Sequence, residues 1–190
     1  MSTLVMVKRG REMCMAAETL ASFGSRKQSA RYVARPEKII RLGSSYVGTV
    51  GWSVTRTVLE SALSHGSELP EVRSELELFE FSRAFHQRLK DEYFLNAAAD
   101  PKDPYESSQM TLFVMNRCGL FAMYSLRTVE QCERFTAAGS GADYALGAMH
   151  AGYELGLPVE DVARIGVEAG IEFDDGSLGP ITLKTMKLEA

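Results

Sequence analysis

Residues 2–18 read Ser2-Thr3-Leu4-Val5-Met6-Val7-Lys8-Arg9-Gly10-Arg11-Glu12-Met13-Cys14-Met15-Ala16-Ala17-Glu18, and their reading decides the fold. Leu4 to Val7 and Met13 to Ala17 are short apolar runs suited to extended chain, and Lys8-Arg9-Gly10-Arg11 between them places a glycine and charges where a tight turn needs them. The spacing predicts a hairpin that begins at residue 2. A hairpin returns its second strand to the start of its first, so the carboxylate of Glu18 is brought back toward Ser2.

Outward from this hairpin the chain changes period several times. Ser22 to Glu37 reads as a polar, partly basic connection, and Lys38 to Leu42 with Tyr46 to Val50 as a second strand pair broken by Gly43-Ser44-Ser45. A short helix is predicted from about Trp52 to Ser64. From Glu71 to Leu95, Leu78, Phe81, Phe85 and Leu89 recur at spacings of three and four with charges between them, the pattern of an amphipathic helix. Asp100-Pro101 and Asp103-Pro104 make 97–108 a loop. Strand-like runs follow at Thr111 to Met115 and Leu120 to Tyr124, split by Asn116-Arg117-Cys118-Gly119. Two helical faces come next, one of Ala142, Ala145, Leu146, Met149 and Tyr153, the other of Val159, Val162, Ile165 and Ala169, with Pro158 suited to a first helical position. Asp174 to Pro180 is a turn, and Ile181 to Leu188 closes as a final strand. With no internal repeat, the 190 residues predict one α+β domain spanning 1–190, a helical layer outside each of two packed sheets.

Composition bounds what such a domain does. Hydrophobic residues at 45% and charged ones at 24% are those of a folded globular chain. A formal charge of -4 argues against a dedicated nucleic-acid binder, because neutralising phosphates needs a basic surplus. The longest apolar runs, Met13 to Ala17 and Leu120 to Tyr124, fall far short of the roughly 18 to 20 residues of a membrane span. Cys14, Cys118 and Cys132 form no C-x-x-C pair and are odd in number, so they read as reduced thiols. The basic pair Lys8-Arg9 follows the first apolar stretch, the wrong order for a secretory signal, and a cytoplasmic protein is expected.

Chemistry first shows at the N-terminus. A methionine before a small residue is normally trimmed, which would leave Ser2 carrying both its hydroxyl and its own α-amine. Such an amine has a pKa of roughly 7.7 to 8.0 and is poised to take the hydroxyl proton. Lys38, opening the third strand after Arg35-Pro36-Glu37, could lower the pKa of a nearby nucleophile, with Glu18 keeping it oriented. Ser140 in Gly139-Ser140-Gly141-Ala142-Asp143 can cap a helix or donate into a neighbouring site, and Asp174 with Ser177 in Asp174-Asp175-Gly176-Ser177-Leu178-Gly179 can form an Asx-type turn. Taken singly, each also reads as a surface charge, a cap or a turn.

Other combinations carry less. His65, His86 and His150 share no metal-ligand spacing, and no local sequence supports a Cys/His nucleophile pair. The basic cluster Arg26, Lys27, Arg31, Arg35, Lys38 and Arg41 has Tyr32 as its only interleaved aromatic, and reads as a solvated loop or a contact surface rather than an RNA site.

In this order the elements resemble the proteasome β subunits and their bacterial relative HslV, the N-terminal-nucleophile hydrolases. That family has a nucleophilic Thr opening the first strand, an Asp ending the second, a Lys opening the third, a G-S-G turn before a helix and D-x-x-S-G after the last helix. The matching positions are Ser2, Glu18, Lys38, Ser140, and Asp174 with Ser177, and the likeness covers nearly the whole chain. Ser for Thr keeps the hydroxyl and loses the methyl that restricts its rotamer, Glu for Asp adds a methylene, and Leu178 stands where the family usually has Gly.

The resemblance implies a four-layer αββα sandwich and a peptidase in which Ser2 forms an acyl-enzyme without any cofactor or metal. It implies that the Gly51 N–H binds the oxyanion, that Thr49 floors the side-chain pocket, and that Ser22 and Gly24 lie along a cleft where a peptide adds as an extended strand. It implies a peptide or unfolded-protein substrate, self-assembly into a homo-oligomeric ring, and an ATP-driven unfoldase partner. Two other readings share the residues: an inactive ring-forming shell protein that retains Met1, and an amidase acting on a small metabolite.

Overall fold

The computed structural model describes residues 2–64, 69–98, 100 and 102–189. His65 lies outside them. In chain order the strands and helices are β1 (Leu4–Arg9), β2 (Glu12–Ala17), β3 (Ala21–Phe23), β4 (Arg26–Gln28), β5 (Ile39–Leu42), β6 (Ser45–Gly51), α1 (Val54–Ser64) and α2 (Glu75–Tyr93). They continue with β7 (Met110–Asn116), β8 (Gly119–Met123), β9 (Val129–Gln131), β10 (Phe135–Ala138), α3 (Ala142–Glu154), α4 (Val159–Phe173) and β11 (Thr182–Lys187).

The opening hairpin forms as its pattern predicts, with Leu4 opposite Ala17 and Arg9 opposite Glu12. It is the centre of an antiparallel sheet ordered β10-β1-β2-β11, and the second sheet is ordered β5-β6-β7-β8-β9. Alternation along β1 shows how the layers stack. Leu4 and Met6 join Met13, Met15, Phe113 and Met115 in a core between the two sheets. Val5 and Val7 point the other way, to Cys14, Ala16, Val162 and Val167 beneath α3 and α4. On the far side, Val47, Leu112, Val114 and Phe121 pack on Leu59, Leu78, Phe85 and Leu89 of α1 and α2. Three apolar interfaces between four layers make the αββα sandwich. A strand buried on both faces has no need of polar alternation, which is why these strands read as nearly continuous hydrophobic runs.

The structure departs from the sequence reading where apolar pattern is absent. The segment 22–37 contains the small hairpin of β3 and β4 and one 3-10 turn at Ala30–Tyr32, mostly half-buried or exposed. Strands β9 and β10 were not expected; they are edge strands of three and four residues that exist by pairing with β8 and β1. Helix α2 starts at Glu75 rather than Glu71, because Ser74 caps it by accepting from the Glu77 N–H at 3.3 Å while the Glu77 carboxylate accepts from the Arg73 N–H at 2.7 Å. It stops at Tyr93, where Phe94 turns left-handed at φ 54°. Among the described residues no helix is long and apolar enough to cross a membrane.

Candidate active site

Strand ends bring the site together. Ser2 precedes β1, Glu18 follows β2, Lys38 precedes β5, Gly139 to Gly141 join β10 to α3, and Asp174 to Ser177 follow α4. The β1–β2 register places Leu4 opposite Ala17, so the next residues outward, Thr3 and Glu18, also meet: the Glu18 N–H donates to the Thr3 carbonyl at 3.3 Å.

Two polar chains converge on Ser2, itself only 3% exposed. In the first, Lys38 Nζ donates to Ser2 Oγ at 2.8 Å and forms an ion pair with Glu18 Oε1. Glu18 is fully buried, and its other contacts come from backbone donors: Thr3 N at 3.4 Å, Leu20 N at 2.6 Å and Leu178 N at 3.4 Å. Burial lowers the Lys38 pKa below its ordinary value of 10.5, opposed by the charge and hydrogen bond of Glu18 and by the charge of Asp174. Desolvation wins, so the neutral amine is reached at a lower pH than in water.

In the second chain, the Ser2 N–H donates to Ser140 Oγ at 3.0 Å and the Ser140 hydroxyl donates to Asp174 Oδ2 at 2.9 Å. Ser177 donates to the same Oδ2 at 2.7 Å. Since its proton is committed there, Ser177 accepts from Thr3 Oγ1 at 2.7 Å. The Ser2 nitrogen here is the amide joined to Met1; it stands where an α-amine would stand once Met1 is removed. Gly139 is required beside it: at φ 99° a Cβ would overlap the Ser2 carbonyl oxygen, and the Gly141 N–H donates to that oxygen at 3.1 Å.

The Ser2 side chain faces a cavity of about 590 Å³ whose lining includes Ser22, Thr49 and Gly51. Glu18, Ser140, Asp174 and Ser177 do not line it and stand behind Ser2. Gly24 does not line the cavity either; it turns the β3–β4 hairpin at φ 62°. The expectation for Gly24 is thus not matched by its position, because the unexpected hairpin carries it outward. Thr3 and the Leu20 and Leu178 amides were missed by sequence reasoning. Thr3 could have been found from strand period alone, since it points away from the cavity, opposite to Ser2, and under the loop after α4.

A four-layer sandwich with Ser2, just ahead of its first strand, at the cavity wall defines the class as a proteasome-type N-terminal-nucleophile hydrolase fold. Comparison with solved structures narrows this. Thiobacillus denitrificans BPH in complex with epoxomicin is 38% identical, with 99% of this chain and 100% of that chain covered at a TM-score of 0.92. A second structure of Thiobacillus denitrificans BPH is also 38% identical, with 98% of each chain covered and a TM-score of 0.92. HslV from Trypanosoma brucei shares the fold at a TM-score of 0.72 and 18% identity, over 97% of this chain and 99% of that one. No family model and no curated protein matches the chain. The chain belongs to the family of BPH, the bacterial proteasome homologue, and is by family a proteasome-type peptidase subunit.

Proposed function

We propose that the protein is a peptidase in which Ser2, freed of Met1, is the nucleophile. The observation that carries this is the 2.8 Å contact from Lys38 Nζ to Ser2 Oγ, made by a lysine whose pKa burial has lowered. Ser2 Oγ attacks the carbonyl carbon of a peptide bond as its proton passes to the α-amine. Ser140 accepts one hydrogen of that amine and so holds its lone pair in a fixed direction. Glu18 and Lys38 tune the hydroxyl, while Asp174 and Ser177 hold Ser140 in place. The carbonyl oxygen gains the negative charge and is met by the Gly51 N–H. Collapse breaks the C–N bond, the amine leaving group takes the proton, and water then hydrolyses the Ser2 ester. The substrate adds as an extended strand beside β3, near Ser22, with Thr49 under its side chain.

The wider reading follows from the family resemblance: a cytoplasmic homo-oligomeric ring acting on unfolded protein, fed by an ATP-dependent unfoldase. Intact mass, fluorogenic-peptide turnover and epoxomicin labelling test the chemistry together. The expected result is a chain lacking Met1 that turns over peptide, carries epoxomicin on its N-terminal fragment, and loses both properties on Ser2→Ala. Met1 present in every molecule with no turnover would make the protein an inactive shell. Turnover unchanged by Ser2→Ala would remove the mechanism.

A further inference from the structure

Lys38 is held at both of its flanking peptide groups. On one side the Thr49 N–H donates to the Lys38 carbonyl at 3.1 Å, which extends the β5–β6 pairing by one residue. On the other, Arg56 Nη1 donates at 2.9 Å to the Glu37 carbonyl, the carbonyl of the peptide bond that joins Glu37 to Lys38. The same Nη1 donates to the Arg35 carbonyl at 2.7 Å. Between these two acceptors stands Pro36, whose ring fixes its own φ. With both peptide planes held, the direction of the Lys38 Cα–Cβ bond is held too, and with it the reach of Nζ toward Ser2 and Glu18.

The approach to β5 depends on such a tie. No side chain of residues 21–37 is fully buried, so the segment has no apolar anchor in the core. Arg56 by contrast stands on α1, whose Leu59 and Ala62 pack into the core with Val47 and Leu112. Its Nε lies 3.4 Å from Glu60 Oε1, and Arg35 pairs with the same oxygen, so one carboxylate orients the guanidinium and ties the segment a second time. A guanidinium carries its donors in a rigid planar fork, which lysine, a point charge on a flexible stem, does not reproduce.

We propose that Arg56 is a positioning residue for the reaction at Ser2: from helix α1 it fixes the peptide plane ahead of Lys38 and so sets where the ammonium stands relative to the hydroxyl. The proposal rests on the peptidase reading of the same site. Arg56 also lines the Ser2 cavity, so direct contact with substrate is the competing role. The two separate kinetically, because misplacing a group that acts at the reacting atoms lowers kcat, whereas removing a uniform substrate contact raises KM.

Two variants and two readouts decide it. Arg56→Met removes both fork and charge, and Arg56→Lys keeps the charge alone. For a fluorogenic peptide, kcat should fall about tenfold in Arg56→Met and about threefold in Arg56→Lys at little changed KM, within the loss of up to about a hundredfold that a misplacement of about 1 Å brings. The second readout needs no turnover: trace acetylation with acetic anhydride along an alkaline pH series, mapped by peptide mass, reports the midpoint at which Lys38 loses its proton. Burial lowers that midpoint, while Glu18 and Asp174, the carboxylates facing Lys38, raise it. Loosening the segment admits water to the amine, so the midpoint should move up toward 10.5 in Arg56→Met and part of the way in Arg56→Lys.

A Lys38 midpoint and a kcat both unmoved in Arg56→Met would overturn the proposal, as would a raised KM at constant kcat. Changes in Arg56→Met that are wholly absent in Arg56→Lys would assign the effect to charge and overturn the positioning role. Should Arg56→Met not fold, Arg56→Lys decides by itself, its wild-type behaviour counting against the proposal. A wild-type protein without turnover would instead overturn the peptidase reading, and the acetylation midpoints would still show whether Arg56 places Lys38.

Discussion

Lys38 Nζ stands 2.8 Å from Ser2 Oγ and is ion-paired on its other side to Glu18, so one amine links the hydroxyl to a fully buried carboxylate. The pKa of this lysine lies below 10.5 because burial outweighs Glu18 and Asp174. Its neutral form, which no longer places a positive charge beside the Ser2 hydroxyl, therefore becomes populated as pH rises toward that value. Peptide turnover should fall along a limb centred below pH 10.5. In Lys38→Arg, which stays charged, that limb should vanish, and in Lys38→Met the rate should fall by roughly tenfold or more, the scale of losing a neighbouring positive charge. The same shift acts on stability. Between the folded pKa and 10.5 the unfolded chain binds the extra proton, so Lys38 should add stability as pH rises through that window and withdraw it as pH falls. Urea denaturation of wild type and Lys38→Met across this range reads the difference.

Glu18 is held by its lysine and three backbone N–H groups with no solvent access. Glu18→Ala leaves the Lys38 ammonium buried without its ion-pair partner, and should cost about 3–5 kcal/mol in chemical denaturation. Adding Lys38→Met to Glu18→Ala should recover most of that loss, since the stranded charge goes with it. A double variant no more stable than the single one would show that the carboxylate matters through its backbone donors instead.

Gly170 of α4 sits directly over Thr3. A Cβ there would overlap Thr3 Oγ1 and lie 2.6 Å from its Cγ2. Alanine is a better helix former than glycine, yet Gly170→Ala should destabilise the fold by about 1–3 kcal/mol, because overpacking exceeds the propensity gain. Truncating the clashing side chain in Gly170→Ala, Thr3→Ala should restore only part of the thermal stability, because the Thr3 Cβ stays 2.8 Å from the new one and the hydrogen bond to Ser177 is lost. A clash that pushes Thr3 also displaces Ser2, so peptide turnover should fall in the single variant.

Cys14 and Cys132 are buried, and burial pushes their thiols up to about 12 and about 11. Thiolate is scarce at neutral pH and the sulfurs are covered, so native protein at pH 7.5 should leave both unalkylated by iodoacetamide. Cys118, partly exposed, should react first. Mass-mapped labelling of native and urea-unfolded protein checks the order.

How much of this was legible in the sequence differs by element. Strands β1, β2 and β7 and helices α2 to α4 announce themselves because each buries a face, and burial writes a period into the residues. Ser2, Glu18 and Lys38 lie at the ends of strands whose pattern is strong, but that pattern alone leaves them as ordinary surface residues, and the family resemblance is what joins them into one site. Strands β9 and β10 and the β3–β4 hairpin were missed because their side chains are mostly half-buried or exposed, and pairing with a neighbour leaves no apolar mark.

The sequence by itself determined the sandwich, since apolar runs this continuous can be hidden only between other layers, and it determined which residue types lie at the strand ends. Only the tertiary structure decided the proton directions: that Ser140 and Ser177 share one oxygen of Asp174, that Thr3 completes that chain, and that burial prevails over two carboxylates at Lys38. Those outcomes turn on distances of a few ångströms between residues up to 174 positions apart, and on the water excluded around them, which no local pattern records.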